Sequence, residues 1–224
     1  MLFRSDWTVG QVMKTIEANG AGQNTLLIFT SDNGSHIVDI GKHNNGVSDT
    51  SRYNFGHDAN YIYRGQKSDV WDGGHRVPFI VRWPEVIKPG SKSDEVICLV
   101  DFTATCAALV GHDLPNNAAE DSSSFLPVLE GKTAAGPVRQ ATIFHSIDGK
   151  FAIRKGQWKF LDCTGSGGWT KGDDGLPGQL YDMTADPQEK NNLYESAAHQ
   201  SIIAELKSLL KQYKTQGFSR PMTG

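Results

Sequence analysis

Thr25-Leu26-Leu27-Ile28-Phe29-Thr30-Ser31-Asp32-Asn33-Gly34 joins an unbroken apolar run to a polar tail. Four consecutive apolar residues suit a strand covered on both faces better than one with a wet side. Upstream, Val9, Val12, Met13 and Ile16 recur at helical spacing, and Asn19-Gly20 stops the pattern. A helix, a short polar loop and a buried strand are the parts of an α/β unit, and a parallel sheet is the expected arrangement. In open sheets of that class, ligands gather beyond the carboxyl ends of the strands, where Ser31, Asp32 and Asn33 fall. An Asp carboxylate beside an Asn amide oxygen offers two hard oxygen donors, a pairing suited to calcium or magnesium. The competing reading is a plain turn: Asp-Asn-Gly is also turn chemistry, and Ile37, Val38 and Ile40 could begin a returning strand.

A second segment runs Tyr63-Arg64-Gly65-Gln66-Lys67-Ser68-Asp69-Val70-Trp71-Asp72-Gly73-Gly74-His75-Arg76-Val77-Pro78. A third, near the C-terminus, reads Leu180-Tyr181-Asp182-Met183, then Asp186-Pro187, then Glu189-Lys190-Asn191-Asn192-Leu193. Taken in this order, the three segments resemble the type I, formylglycine-dependent sulfatases of the arylsulfatase and N-acetylgalactosamine-6-sulfatase kind, within the alkaline-phosphatase superfamily. The resemblance runs from Trp7 to Tyr213 and matches the C-terminal half of such an enzyme. It implies a partial sulfatase α/β core over residues 1–148, followed by a small antiparallel α+β subdomain over residues 149–224.

In the matching motif, the resemblance implies that Lys67 contacts the sulfate. The chemistry is consistent, because sulfuryl transfer loads negative charge onto the ester and terminal oxygens, and a fixed ammonium stabilises it. Arg64 is a second candidate cation for the substrate, or else a partner for Asp69 or Asp72. His36, His43 and His57 fall in the long polar segment between Asp32 and Lys67, which reads as a rim around a substrate opening. Of these, His57 is a catalytic candidate and His36 a substrate-binding one. His75 is a catalytic, pocket-lining candidate, and Arg76 is expected to anchor its loop by a buried ion pair. The family's nucleophile is a formylglycine made within Cys/Ser-x-Pro-x-Arg, and no such motif occurs among these 224 residues. The family's first pair of metal-binding aspartates also has no counterpart here. Asp32 and Asn33 would therefore supply half of a cage for a weakly held divalent metal, calcium or else magnesium.

Composition limits the partners. With 22 basic and 25 acidic residues and a net charge of −3, there is no electrostatic case for nucleic acid or a membrane surface. The N-terminus lacks the apolar core of a signal peptide, so the chain as written reads as cytoplasmic, although full-length relatives are often exported. Cys98, Cys106 and Cys163 lack metal-site spacing and read as buried free thiols.

Further along, residues 77–83 form a second apolar strand, Asp101 looks like the N-cap of a helix, and residues 141–145 resemble another core strand. From residue 151 the pattern changes to short strands at 151–154, 157–161 and 179–181, with a mobile glycine-rich loop at 165–178. Ile202, Leu206, Leu209, Leu210 and Tyr213 mark a closing helix lying on that sheet. Three functions fit. The first is sulfate-ester hydrolysis, with this chain lacking the nucleophile. The second is metal-dependent phosphoester hydrolysis by the residual site, with a histidine assisting a bound water. The third is binding of a sulfated glycan or other anion through the Arg64–Lys67 loop. The substrate is a small anionic ester or sulfated sugar, and an unpaired sheet edge is expected to drive homo-oligomerisation.

Overall fold

The computed structural model describes residues 2–36, 59–132 and 136–222. Helix α1 (Leu2–Ala18) precedes strand β1 (Leu27–Thr30), and β2 (Phe79–Arg82) follows the segment that contains Lys67. The two strands pair antiparallel, Leu27 opposite Arg82 and Thr30 opposite Phe79, and not in the expected parallel sense. An apolar run reports which faces want covering and carries no information about strand direction. Among the described residues the two strands stand as a two-stranded ribbon, and the opposed pair Phe29 and Ile80 is 41% and 61% exposed. Arg82 ties the ribbon to the end of α1 through Glu17 at 3.1 Å and the Gly22 carbonyl at 3.0 Å.

Beyond β2, a 3-10 turn (Leu99–Asp101) leads into α3 (Phe102–Leu109), and α4 (Leu126–Leu129) follows. Phe79, Phe102 and Phe125 pack edge-on and tilted at 5.6–5.8 Å between ring centres. Asp101 does not cap α3. Its carboxylate instead accepts the Cys98 and Ser123 amides at 2.7 and 2.8 Å and meets Arg139 at 3.4 Å, all from a wholly buried position. Of the three free thiols, Cys163 is buried, Cys98 half-buried and Cys106 exposed, so burial holds only in part. Cys106 lies on the outer side of a helix only two turns long.

The C-terminal part is an antiparallel four-stranded sheet in sequence order: β3 (Thr142–His145), β4 (Phe151–Lys155), β5 (Trp158–Leu161) and β6 (Gln179–Asp182). β3, expected in the first core, is the edge strand of this sheet, because the Ile147-Asp148 turn, closed by the Gly149 amide on the Ser146 carbonyl, folds it back on β4 with Thr142 opposite Arg154. Alternation along the strands sends side chains to opposite faces. Ile153, Phe160 and Leu180 meet Ile203, Leu206, Leu209, Leu210 and Tyr213 of α5 (Gln200–Gln216), which ends at Gly217 with φ 77°. Ala152, Leu161 and Tyr181 point the other way, onto Val70 and Trp71. The sheet is therefore covered twice, by a helix on one side and by the Lys67-bearing segment on the other. Among the described residues no helix is long and apolar enough to cross a membrane.

Candidate functional site

The chain leaves β1 through a turn in which the Ser31 hydroxyl donates to the Asn33 carbonyl at 3.0 Å. It then runs directly onto the second motif. The Gly34 amide donates to the Gly74 carbonyl at 3.0 Å, and the Lys67 amide donates to the Ser35 carbonyl at 3.0 Å. A Cβ on Gly34 would sit 1.7 Å from the Gly73 carbonyl oxygen, so only glycine permits this approach. Asn60 bridges the two segments, accepting the Ser35 amide at 2.8 Å and donating to the Gly65 carbonyl at 3.0 Å. Asp32 and Lys67 are both exposed, and the Lys67 charge acts on the Asp32 carboxyl. A hydrogen bond from the Asn33 side chain, its own backbone N–H and the Lys67 charge together hold the Asp32 carboxyl below the usual carboxylate range. Asp32 is therefore ionised at neutral pH, with the Asn33 amide beside it.

Lys67 sits on a segment fixed from below. Helix α2 (Asp72–His75) is a single turn, and the Gly73 amide reaches back to the Arg64 carbonyl at 2.7 Å. Asp69, wholly buried, accepts the Gln66 amide at 2.9 Å and both the amide and the hydroxyl of Thr170. Ser68 holds the left-handed conformation at φ 88°, a costly geometry for a residue with a Cβ. Two bonds from the C-terminal part retain it: the Ile147 amide to the Ser68 carbonyl at 3.0 Å, and the Trp169 amide to its hydroxyl at 3.2 Å. The glycine-rich loop at 165–178, expected to be mobile, is thus docked through residues 166–170 against the Lys67 segment. Its glycines serve close approach: a Cβ on Gly168 would lie 2.5 Å from the Ser68 carbonyl oxygen.

Beneath lies a buried ion cluster. Lys159 shares a face of β5 with Leu161, and its ammonium is 2.7 Å from Asp72 Oδ1 and 2.8 Å from Glu189 Oε1. The other Glu189 oxygen accepts the Asp72 amide at 2.7 Å. Burial works against the Lys159 charge, yet the two carboxylates more than offset it and its pKa stands above the usual lysine value. Burial pushes the Glu189 carboxyl up to about 7, with the Asp72 carboxylate adding to the rise and Lys159 opposing it.

Several sequence-predicted side chains are placed differently. Arg64 contacts neither Asp69 nor Asp72 and turns inward: its guanidinium lies 3.7 Å over the Trp71 ring and donates to the Tyr181 hydroxyl at 3.2 Å and the Glu189 carbonyl at 2.8 Å. It fastens the segment, because Trp71 and Tyr181 offer it a desolvated aromatic seat. Arg76 meets Asp72 at 3.5 Å from a half-exposed position, so the buried anchor is Lys159. His75 packs against Phe144 with ring centres 5.2 Å apart, and burial, then the Lys159 charge, lowers its pKa to about 4. It is a neutral interior histidine at physiological pH, with Nε2 buried and unpartnered. His36 is exposed beside the site, its ring centre 4.7 Å from that of Trp169. His43, His57 and the possible returning strand at 37–40 lie outside the described residues. Sequence reading passed over Lys159 and Thr170 and named Asp69 only as a possible partner of Arg64; Asp69 and Glu189 lie inside the second and third motifs.

Among the described residues no cluster of three or more His, Cys, Asp or Glu side chains forms a metal cage. By donor type, an ionised Asp32 carboxylate and the Asn33 amide oxygen suit a hard divalent cation as two of its ligands; Asp32 is exposed and Asn33 half-buried just beyond β1.

Comparison with known proteins follows the same three segments. The Sulfatase family model matches residues 1–112, and the model for N-sulphoglucosamine sulphohydrolase, C-terminal, matches residues 65–216. An N-acetylgalactosamine-6-O-sulfatase of Bacteroides thetaiotaomicron is 39% identical over 222 residues, covering 96% of this chain and 41% of that protein. A solved structure from Bacteroides thetaiotaomicron, described in connection with the metabolism of multiple glycosaminoglycans, superposes with a TM-score of 0.77 at 37% identity. It covers 94% of this chain and 43% of its own. A second solved structure, in complex with its substrate D-glucosamine-2-N,6-O-disulfate, gives a TM-score of 0.65 at 25% identity, covering 96% of this chain and 39% of its own. The chain therefore spans about two fifths of the length of such relatives.

Proposed function

The chain belongs to the sulfatase family, and from that premise we propose that Asp32, Asn33 and Lys67 form the anion-holding side of a sulfate-ester hydrolase site acting on a sulfated sugar. The observation that carries this reading is the convergence of the β1 end with the Lys67 segment, through the Lys67 amide on the Ser35 carbonyl, with the Lys67 charge helping to hold the Asp32 carboxyl down. The B. thetaiotaomicron N-acetylgalactosamine-6-O-sulfatase and the glucosamine disulfate complex support a sugar as the group bearing the sulfate.

Hydrolysis breaks the ester link, with water supplying hydroxyl to sulfur and a proton to the released sugar oxygen. Negative charge grows on the leaving oxygen and the sulfate oxygens as the bond weakens. Lys67 meets that charge from a backbone fixed before substrate arrives, so little reorganisation is needed at the moment of reaction. A calcium or magnesium ion held by Asp32 and Asn33 would neutralise sulfate charge from the other side. No Cys/Ser-x-Pro-x-Arg motif occurs among these 224 residues, and the contribution proposed for the residues present is binding and charge stabilisation.

The test is titration of the purified chain with N-acetylgalactosamine 6-sulfate, with calcium and with a chelator, beside hydrolysis assays on 4-nitrophenyl sulfate and 4-nitrophenyl phosphate. Binding should weaken by about tenfold or more in Lys67→Ala, equivalent to ~1.4 kcal/mol, and lose its calcium dependence in Asp32→Ala. Binding indifferent to both substitutions would overturn the assignment. Turnover of the phosphate ester, abolished by chelator, would move the site to phosphoester chemistry.

A further inference from the structure

The docked 165–178 loop brings Trp169 to the edge of the anion site. Its amide is held by the hydroxyl of Ser68, the residue next to Lys67, and its ring lies against His36, the residue next to Ser35, whose carbonyl accepts the Lys67 amide. Lys67 is thus flanked on both sides by backbone that also positions an aromatic pair. Thr170 and Ser166 hold the loop beneath, through Asp69 and through the Ser166 hydroxyl donating to the Thr170 carbonyl at 2.7 Å. The backbone that carries Trp169 is therefore held in place, and the residue is 40% exposed.

We propose that Trp169, braced by His36, is the platform on which the pyranose ring of the sulfated sugar rests while its sulfate is held at Lys67; the proposal builds on the sulfate-ester reading above. A sugar ring has a C–H face that wants an aromatic surface and a hydroxyl rim that wants polar neighbours. An indole set against an imidazole, on a loop whose backbone is bonded to the residue next to Lys67, supplies both. An extended apolar alcohol would need a broad greasy wall, and the surroundings of Trp169 are polar: Ser68, Thr170 and His36. Trp169 is on this account a specificity-determining residue. It distinguishes ring-bearing esters from the bare anion, whereas Lys67 serves any sulfate.

Three ligands and four proteins decide the matter: N-acetylgalactosamine 6-sulfate, unsulfated N-acetylgalactosamine and inorganic sulfate, each titrated into the full chain, Trp169→Ala, Trp169→Phe and Lys67→Ala. The wild-type chain should bind the sulfated sugar more tightly than inorganic sulfate. Trp169→Ala should erase that advantage, about tenfold or more, while leaving inorganic sulfate within about twofold. Trp169→Phe should restore most of it, and Lys67→Ala should weaken both anions. Thermal unfolding of Trp169→Ala is expected to match wild type, since the anchoring bonds come from backbone. If the wild-type chain holds the sulfated sugar no better than sulfate, or if Trp169→Ala keeps the advantage, the platform is overturned. Binding that depends on Trp169 and not on Lys67 would keep the platform and sink the sulfate assignment.

Discussion

Replacing Lys159 by Met tests whether the anion site depends on what lies beneath it. The side chain is wholly buried, with its ammonium 2.7 and 2.8 Å from Asp72 and Glu189. Met fills nearly the same space and removes the charge, leaving two carboxylates facing each other in the interior. Removing one partner from a buried ion pair costs ~3–5 kcal/mol, mostly from the charge left uncompensated. Here Glu189, already near 7, can take up a proton with little penalty, which places the loss at the lower end, ~3 kcal/mol. For a chain of this length that corresponds to roughly 6–12 °C in Tm. The measurement is urea and thermal unfolding of wild type, Lys159→Met and the double variant Lys159→Met/Glu189→Gln. The double variant should recover more than half of the loss, because the amide keeps an acceptor for the Asp72 N–H without a second negative charge. A single variant that loses less than about 1 kcal/mol, or a double variant no more stable than the single, would refute the cluster as the clamp holding the Lys67 segment.

Three further outcomes follow from the same geometry. Glu189 has a folded-state pKa of about 7 against an ordinary 4.5, so the folded chain holds the extra proton between those values and its contribution to stability drains away as pH rises through 7. The urea midpoint should fall by an amount worth a few kcal/mol from pH 5 to 8, a slope that Glu189→Gln removes; an unchanged slope in that variant would be decisive against it. Gly34→Ala would thrust a methyl to 1.7 Å from the Gly73 carbonyl oxygen, costing ~2 kcal/mol or more and uncoupling β1 from Lys67; wild-type stability and anion binding would disprove the close approach. The Phe29–Ile80 face of the two-stranded ribbon should drive self-association, visible by sedimentation and weakened about tenfold in Ile80→Lys. A wild-type chain that stays monomeric at every concentration would rule this out.

Strand positions, the closing helix and the oxygen donors at the end of β1 were legible because each rests on local pattern: an apolar run, a helical stripe, turn chemistry after a strand. Pairing was less so. The antiparallel partnership of β1 with β2, and of β3 with β4, depends on how the chain returns, which periodicity does not record. Arg64 looked like a second substrate cation because a guanidinium beside a lysine loop suits an anion. Trp71 and Tyr181, one of them more than a hundred positions away, give it a better seat inside. His75 was a candidate by residue type; burial lowers its pKa and its ring packs on Phe144.

The glycine-rich 165–178 loop shows most plainly why composition misled. Glycine in an unsupported loop raises backbone freedom, and the same residue in a dense one permits contacts that no side chain would allow. Gly168 belongs to the second case, since a Cβ there would strike Ser68 and Asp69. Tight contact of that kind needs two surfaces, and the second is the Lys67 segment itself. Sequence near either surface describes half of the fit. The positioning of Lys67 therefore belongs to neither motif alone: its strained neighbour Ser68 is held by Ile147 and Trp169, and the carboxylate under it, Asp69, by Thr170. An isolated segment ending before β3 would keep Asp32, Asn33 and Lys67 in its sequence and lose the bonds that aim the lysine. On the proposed assignment, the C-terminal part is thus a working portion of the anion site.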